Sequence, residues 1–294
     1  MDKFKGTGVA LITPFDVDHN IDFPALEKLV NHCIDGGVDY LVVMGTTGEN
    51  ATLSNSEKEE VLKFVQKVNG GRTPIVYGIG GNNTRALVEI IENTNFDGID
   101  AILSASPYYN KPTQEGIYQH YKALSIASPV PIILYNVPGR TASNVTAETT
   151  LRLAKDFDNI RAIKEASGDM EQVMKIINER PDGFLVISGE DNLTLPMIAC
   201  GGDGVISVSG QGFPQVFSKM VNDALAGKTE SAREGHYKLF EVTKMLFAEG
   251  NPGGIKAALK HQGICDEYMR QPLWLISDEL RADIKQETDR NKLN

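Results

Sequence analysis

A lysine stands where a chain normally keeps charge out. Lys164 lies inside the apolar run IRAIKEAS that begins at Ile160. An unpaired buried ammonium is expensive, so a lysine in such a place tends to release its proton and become nucleophilic near neutral pH. A free amine attacks a carbonyl and forms a Schiff base, which then serves as an electron sink. The plainer reading is a salt bridge. Glu165 is an unsuitable partner for one, because adjacent residues of a strand point to opposite faces. Tyr135, in PIILYNV, is either a core tyrosine or a phenol able to shuttle protons while a carbinolamine forms and loses water. Thr46 and Thr47 sit between glycines in GTTGE. Their hydroxyls and backbone N–H groups suit a carboxylate, although a tight turn with incidental hydroxyls reads the same. Arg140, in YNVPGRT, carries the planar fork that pairs two-pronged with a carboxylate, although most loop arginines are simply solvated.

Other chemistry is poorly supported. The five histidines (His19, His32, His120, His236, His261) show no metal-ligand spacing. Cys33, Cys200 and Cys265 are odd in number and far apart, which argues against a disulfide framework and for a reducing, cytoplasmic setting. GIGG at Gly78–Gly81 lacks the lysine of a phosphate loop and reads as a close backbone approach. No basic residue lies between Lys164 and Lys175 or between Arg180 and Lys219. A non-phosphorylated carboxylate substrate therefore fits better than a phosphorylated one.

What must position these residues is a repeated unit. Eight short apolar runs start at Val9, Tyr40, Pro74, Ala101, Pro131, Ile160, Phe184 and Gly204. They are rich in Val and Ile without polar alternation, the pattern of parallel strands buried on both faces. Amphipathic segments lie between them: FPALEKLVNHCID, SEKEEVLKFVQKV, TRALVEIIENT and TAETTLRLAKDF. Ser54 with Glu57 predicts a capping box, and Pro214 a helix first turn. GGVDYLVVMG, DGIDAILSAS and GGDGVISVSG echo one another, Gly then Asp then a β-branched run. Eight units predict an α/β fold, a (β/α)₈ TIM barrel over residues 1–227, whose active site lies at the C-terminal ends of the strands. A doubly wound sheet would want a glycine-rich fingerprint after the first strand, which is missing. Residues 228–294 read as a C-terminal helical appendage of two or three helices packed directly on the barrel.

The 294 residues carry a formal charge of −10, and 41% are hydrophobic. An acidic chain argues against nucleic acid or an anionic membrane as partner. No apolar run approaches the ~18–20 residues of a spanning helix, and no signal peptide is visible at the N-terminus.

Five motifs occur in order: GTTGE at Gly45, SPYYNKPTQEG at Ser106, YNVPGRT at Tyr135, IKEASG at Ile163 and SGED at Ser188. From about Gly6 to its end the chain resembles the dihydrodipicolinate synthases of the N-acetylneuraminate lyase family, which are class I aldolases. The resemblance implies condensation of pyruvate with L-aspartate 4-semialdehyde, in diaminopimelate and lysine biosynthesis. It implies no cofactor beyond a covalent pyruvate imine on Lys164. Tyr135, Thr46 and Tyr109 would form the proton relay, with Tyr109 reaching in from a neighbouring subunit. Thr47, Thr46 and the backbone at Ile206 would hold the pyruvate carboxylate, Gly189 would line the pocket, and Arg140 would grip the semialdehyde carboxylate. A homotetramer built as a dimer of dimers is implied in the same way. The alternative within the family is an aldolase of sugar acids, but those relatives do not usually carry GRT after YNVP. Lysine-inhibited members have an effector site that Asn82, Tyr108 and Ala51 match, whereas Asn55, Lys58 and Ala86 depart from it. These departures predict weak or absent feedback by lysine. NPGG at Asn251 predicts a changed helix start without catalytic effect.

Overall fold

Eight parallel strands pair in sequence order and the last closes on the first in the computed structural model, which describes residues 1–293. They are β1 (Gly6–Ala10), β2 (Tyr40–Val43), β3 (Ile75–Gly78), β4 (Ala101–Ala105), β5 (Ile132–Asn136), β6 (Ile160–Glu165), β7 (Leu185–Ser188) and β8 (Gly204–Ser207). The helices are α1 (Phe23–Asp35), α2 (Asn55–Asn69), α3 (Thr84–Asn93), α4 (Gln114–Ala127), α5 (Pro138–Thr141), α6 (Ala147–Asp156), α7 (Met170–Glu179), α8 (Thr194–Ala199), α9 (Ser209–Gly212), α10 (Pro214–Leu225), α11 (Thr229–Ala248), α12 (Gly253–His261) and α13 (Asp278–Arg290). The predicted α/β barrel is thus the observed fold. The capping box at Ser54 and Glu57 is present, and Pro214 stands in the first turn of α10.

Two apolar layers hold the barrel. The inner one includes Val42, Val76, Leu103, Ile133, Tyr135, Ala162, Ile187 and Ile206. The outer one packs the other face of each strand, including Leu134, Ile163 and Val186, against the helices. Burial on both faces is why the strands read as continuous apolar runs. Phe4 seals the N-terminal end of the barrel, edge-on to Tyr40 with ring centroids 5.5 Å apart. The Tyr40 ring fills the space beside Gly8, where a Cβ would lie 2.2 Å away. The first residues of β1, Gly6, Thr7 and Gly8, are not apolar and so hide the start of the strand. The apolar run starts at Val9, but the strand starts at Gly6 and ends at Ala10, so Leu11–Phe15 leave the sheet. Gly78 answers to the expected close backbone approach, since a Cβ there would meet the Met44 carbonyl oxygen at 2.1 Å.

Beyond β8 the chain forms helices α9 to α13, with an irregular segment between α12 and α13. The helix α11 packs against α10, and α12 and α13 pack on α11. From α12 and the segment after it, side chains return to the mouth of the barrel.

Candidate active site

Strand alternation sends Lys164 inward with Ala162, and Glu165 outward with Ile163. Lys164 is 5% exposed. In the β5–β6 register Tyr135 stands opposite Lys164, and the amine nitrogen lies 4.3 Å from the centre of the tyrosine ring. Among the described residues no carboxylate comes within 4.0 Å of that nitrogen. The salt-bridge reading therefore lacks a partner. Gly189, at the end of β7, supplies the space: a Cβ there would lie 3.1 Å from Lys164 Cε and 2.5 Å from Ala166 Cβ. A side chain at 189 would press on the amine-bearing arm.

Thr46 and Thr47 form a 3₁₀ turn, Thr46–Gly48, directly beyond β2. Thr47 is buried, and its hydroxyl oxygen accepts from Asn251 Nδ2 at 2.9 Å. With one lone pair of that oxygen taken, its own proton remains to be given elsewhere. Ile206 lies in β8 beside Gly8 of β1 and is 1% exposed. The ends of these strands are tied by side chains. Gln211 donates to the Ala10 carbonyl and accepts from the Ile12 N–H, both at 2.9 Å. Asp191 accepts from the N–H groups of Val208 and Ser209 at 3.1 and 2.7 Å.

Arg140 lies in α5, the single turn after β5, and is exposed. Glu190 follows Gly189 at the same end of the barrel. Burial pushes its carboxyl upward and so does the charge of Asp191, while the charges of Lys164 and Arg140 pull it down. A basic and an acidic group thus share the mouth above the amine. Tyr109 does not join them within this chain. Its φ is +69° and its side chain is 89% exposed, held out beyond β4.

Reasoning from sequence missed the support beneath GTTGE. Glu49 is fully buried, with a left-handed φ of +54°. Lys256 of α12 donates to its Oε1 at 2.5 Å and to the Tyr268 carbonyl at 2.7 Å, over the face of Phe15. Burial draws the Lys256 amine downward against the opposing charge of Glu49. The Arg270 N–H donates to Glu49 Oε2 at 3.0 Å. Contacts spanning some two hundred residues leave no local signal. The NPGG segment held a partial one, a polar residue ahead of a helix start. Asn251 in fact reaches Thr47, and Gly254 lets α12 pack on α11, since a Cβ there would meet the Leu246 carbonyl oxygen at 2.5 Å.

A closed (β/α)₈ barrel that buries an amine beside a tyrosine ring at the C-terminal end of its strands has the architecture of a barrel enzyme. Residues 3–290 match the model of the dihydrodipicolinate synthetase family, and the chain belongs to that family. A 4-hydroxy-tetrahydrodipicolinate synthase of Flavobacterium psychrophilum is 55% identical over 280 residues, covering 95% of this chain and 96% of the relative. The crystal structure of dihydrodipicolinate synthase from Aquifex aeolicus superposes with a TM-score of 0.95 at 39% identity, covering 99% of both chains. The chloride-inhibited dihydrodipicolinate synthase of Acinetobacter baumannii, solved with pyruvate, gives 0.95 at 38% identity, again covering 99% of both.

Proposed function

We propose that this chain condenses pyruvate with L-aspartate 4-semialdehyde through a Schiff base on Lys164. The amine attacks C2 of pyruvate to give a carbinolamine, which loses water to form the imine. The imine draws electrons from the pyruvate methyl group, so a proton leaves C3 and an enamine forms. The enamine carbon attacks the aldehyde of the second substrate, making the new C–C bond, and the aldehyde oxygen takes a proton. The substrate's own amino group then attacks the imine carbon, closes the ring and releases Lys164. The covalent imine takes the part that a cofactor plays elsewhere.

In this reading Tyr135 and Thr46, with Tyr109 of a neighbouring subunit, carry protons to and from the carbinolamine and the aldehyde oxygen. Thr47 and the backbone at Ile206 hold the pyruvate carboxylate, Gly189 keeps room for it, and Arg140 grips the carboxylate of the semialdehyde. The outward Tyr109 supports a homo-oligomer, proposed as a homotetramer of two tight dimers. Residues 1–227 are proposed as the catalytic barrel and 228–294 as a helical domain, in a cytoplasmic enzyme.

The observation that carries the reading is Lys164 itself: buried at the C-terminal end of a barrel strand, against Tyr135, with no carboxylate within 4.0 Å among the described residues. Borohydride reduction with pyruvate, followed by peptide mapping, tests it. The expected result is an adduct at Lys164, absent from a folded Lys164→Ala variant that has lost turnover. Folded parent protein that gains no adduct would overturn the mechanism. Rates with the semialdehyde, set against cleavage of sialic acid, separate this activity from that of a sugar-acid aldolase.

A further inference from the structure

The chemistry proposed above uses only the inward face of β5 and β6. The outward face behind it holds a second pair. Where Tyr135 meets Lys164 inside, Asn136 meets Glu165 outside, one residue further along both strands. Both are buried, Asn136 at 0% and Glu165 at 2% exposure. Asn136 Nδ2 donates to both carboxylate oxygens, at 3.1 and 3.0 Å. The Ser167 N–H donates to Oε1 at 2.8 Å, and Gln172 Nε2 to Oε2 at 3.0 Å. Asn136 Oδ1 accepts from the Val145 N–H at 2.9 Å, and Asn144 braces Asn136 and Gln172 together.

No cation lies within 4.0 Å of Glu165 among the described residues, so neutral donors alone hold this carboxylate. Burial pushes its pKa upward against them. A buried, unpaired acid is a poor way to stabilise a sheet, and the preceding outward residues Leu134 and Ile163 are apolar. Register gives the acid a purpose. The β5–β6 pairing shifts by one residue at its start: Ile132 pairs with Ile160, but Ile133 pairs with Ala162. A one-residue slip turns every later side chain to the opposite face. Such a slip would swing Lys164 out beneath the helices. The Asn136–Glu165 bonds form only in the observed register, and they form at the end of the strands where the amine stands. The Glu165 carbonyl also accepts from the Gly189 N–H at 2.7 Å, which ties the lock to the glycine beside Lys164.

We propose that Asn136 and Glu165 are positioning residues, a side-chain lock outside the barrel that holds Tyr135 against the Lys164 amine inside it. This rests on Lys164 being the imine-forming amine. The test measures the single-turnover rate of borohydride-trapped pyruvate at Lys164 in the full-length protein, with kcat, KM and melting temperature alongside. Glu165→Gln sets an amide against the Asn136 amide, and Asn136→Asp sets two carboxylates together. The double variant N136D/E165Q restores one donor facing one acceptor, with the charge moved to the other strand. Each single change is expected to slow trapping about tenfold or more, since a small misplacement of reacting groups costs up to ~10²-fold. The expected KM for pyruvate changes little, and the double variant recovers most of the rate. If the single variants do not fold, Gln172→Ala removes one donor from a half-exposed helix position and is expected to slow trapping severalfold. Parental trapping rates in the folded variants would overturn the lock, as would a double variant no faster than the singles. A parent that traps no pyruvate at all would overturn the function itself and is told apart by that control.

Discussion

At the scale of single side chains, the proposed chemistry carries a prediction about its control. By the resemblance, lysine-inhibited members commonly carry histidines where this chain has Asn55 and Lys58, and a glutamate for the effector's amine where it has Ala86. Asn55 and Lys58 line a cavity of about 310 Å³ between α2 and α3, together with Asn50 and Gly80. Lys58 brings a second amine there and Ala86 no anion, while Glu59 and Asp97 also line the cavity and Glu59 is already paired with Lys63 at 2.6 Å. Lysine is therefore expected to leave the rate unchanged at sub-millimolar concentration. Steady-state rates across a lysine titration check this, and half-inhibition below a millimolar would refute it. The residues proposed to react were legible because each is an anomaly of type: a lysine in an apolar strand, a threonine pair between glycines. Their supports were not. Asn251, Glu49 and Lys256 look ordinary in sequence, and only the fold brings α12 under the GTTGE turn.

Whole elements were legible wherever burial imposes a pattern. Strands β2, β4, β6 and β8 begin where their apolar runs begin, because both faces of each strand are covered. The short helices α5 and α9 were not foreseen, since one turn is too brief to show a helical period. Element joints are also where pH enters. Arg270, from the segment after α12, pairs with Glu57 in the first turn of α2 at 2.6 Å. That pairing, helped by Ser54, holds the Glu57 carboxyl down to about 2 from 4.5. A carboxyl depressed by folding binds its proton less readily in the folded than in the unfolded chain. Its contribution is therefore complete above 4.5 and lost as the pH falls towards about 2. Glu57→Gln should lower the melting temperature most at neutral pH, with the gap narrowing in acid below pH 4.5. Parallel melts of the two proteins over that range are the check. A gap independent of pH would mean that the Arg270 pair contributes no stability.

At the scale of the molecule, the proposed relay is not completed within one chain. Lys164, Tyr135, Thr46 and Thr47 belong to one barrel, but Tyr109 faces away from it, 89% exposed on a positive-φ residue, beside a Tyr108 that is 44% exposed. An aromatic side chain held out on a strained backbone makes sense when another surface receives it. If that surface is the mouth of a second copy, each complete site takes Lys164 from one chain and Tyr109 from the other. Two impaired variants then become complementary. Lys164→Ala lacks the amine, and Tyr109→Phe lacks the relay hydroxyl. In a mixed dimer one site inherits both defects and the other inherits neither. Co-refolding equal amounts should restore roughly a quarter of parental activity, because half of the randomly formed dimers are mixed and each holds one intact site. Variants refolded separately and then combined should stay near the level of their average until subunits exchange. Recovery absent from co-refolded protein of confirmed mixed composition would place Tyr109 outside the neighbour's site, and each chain would then have to complete its relay from its own residues.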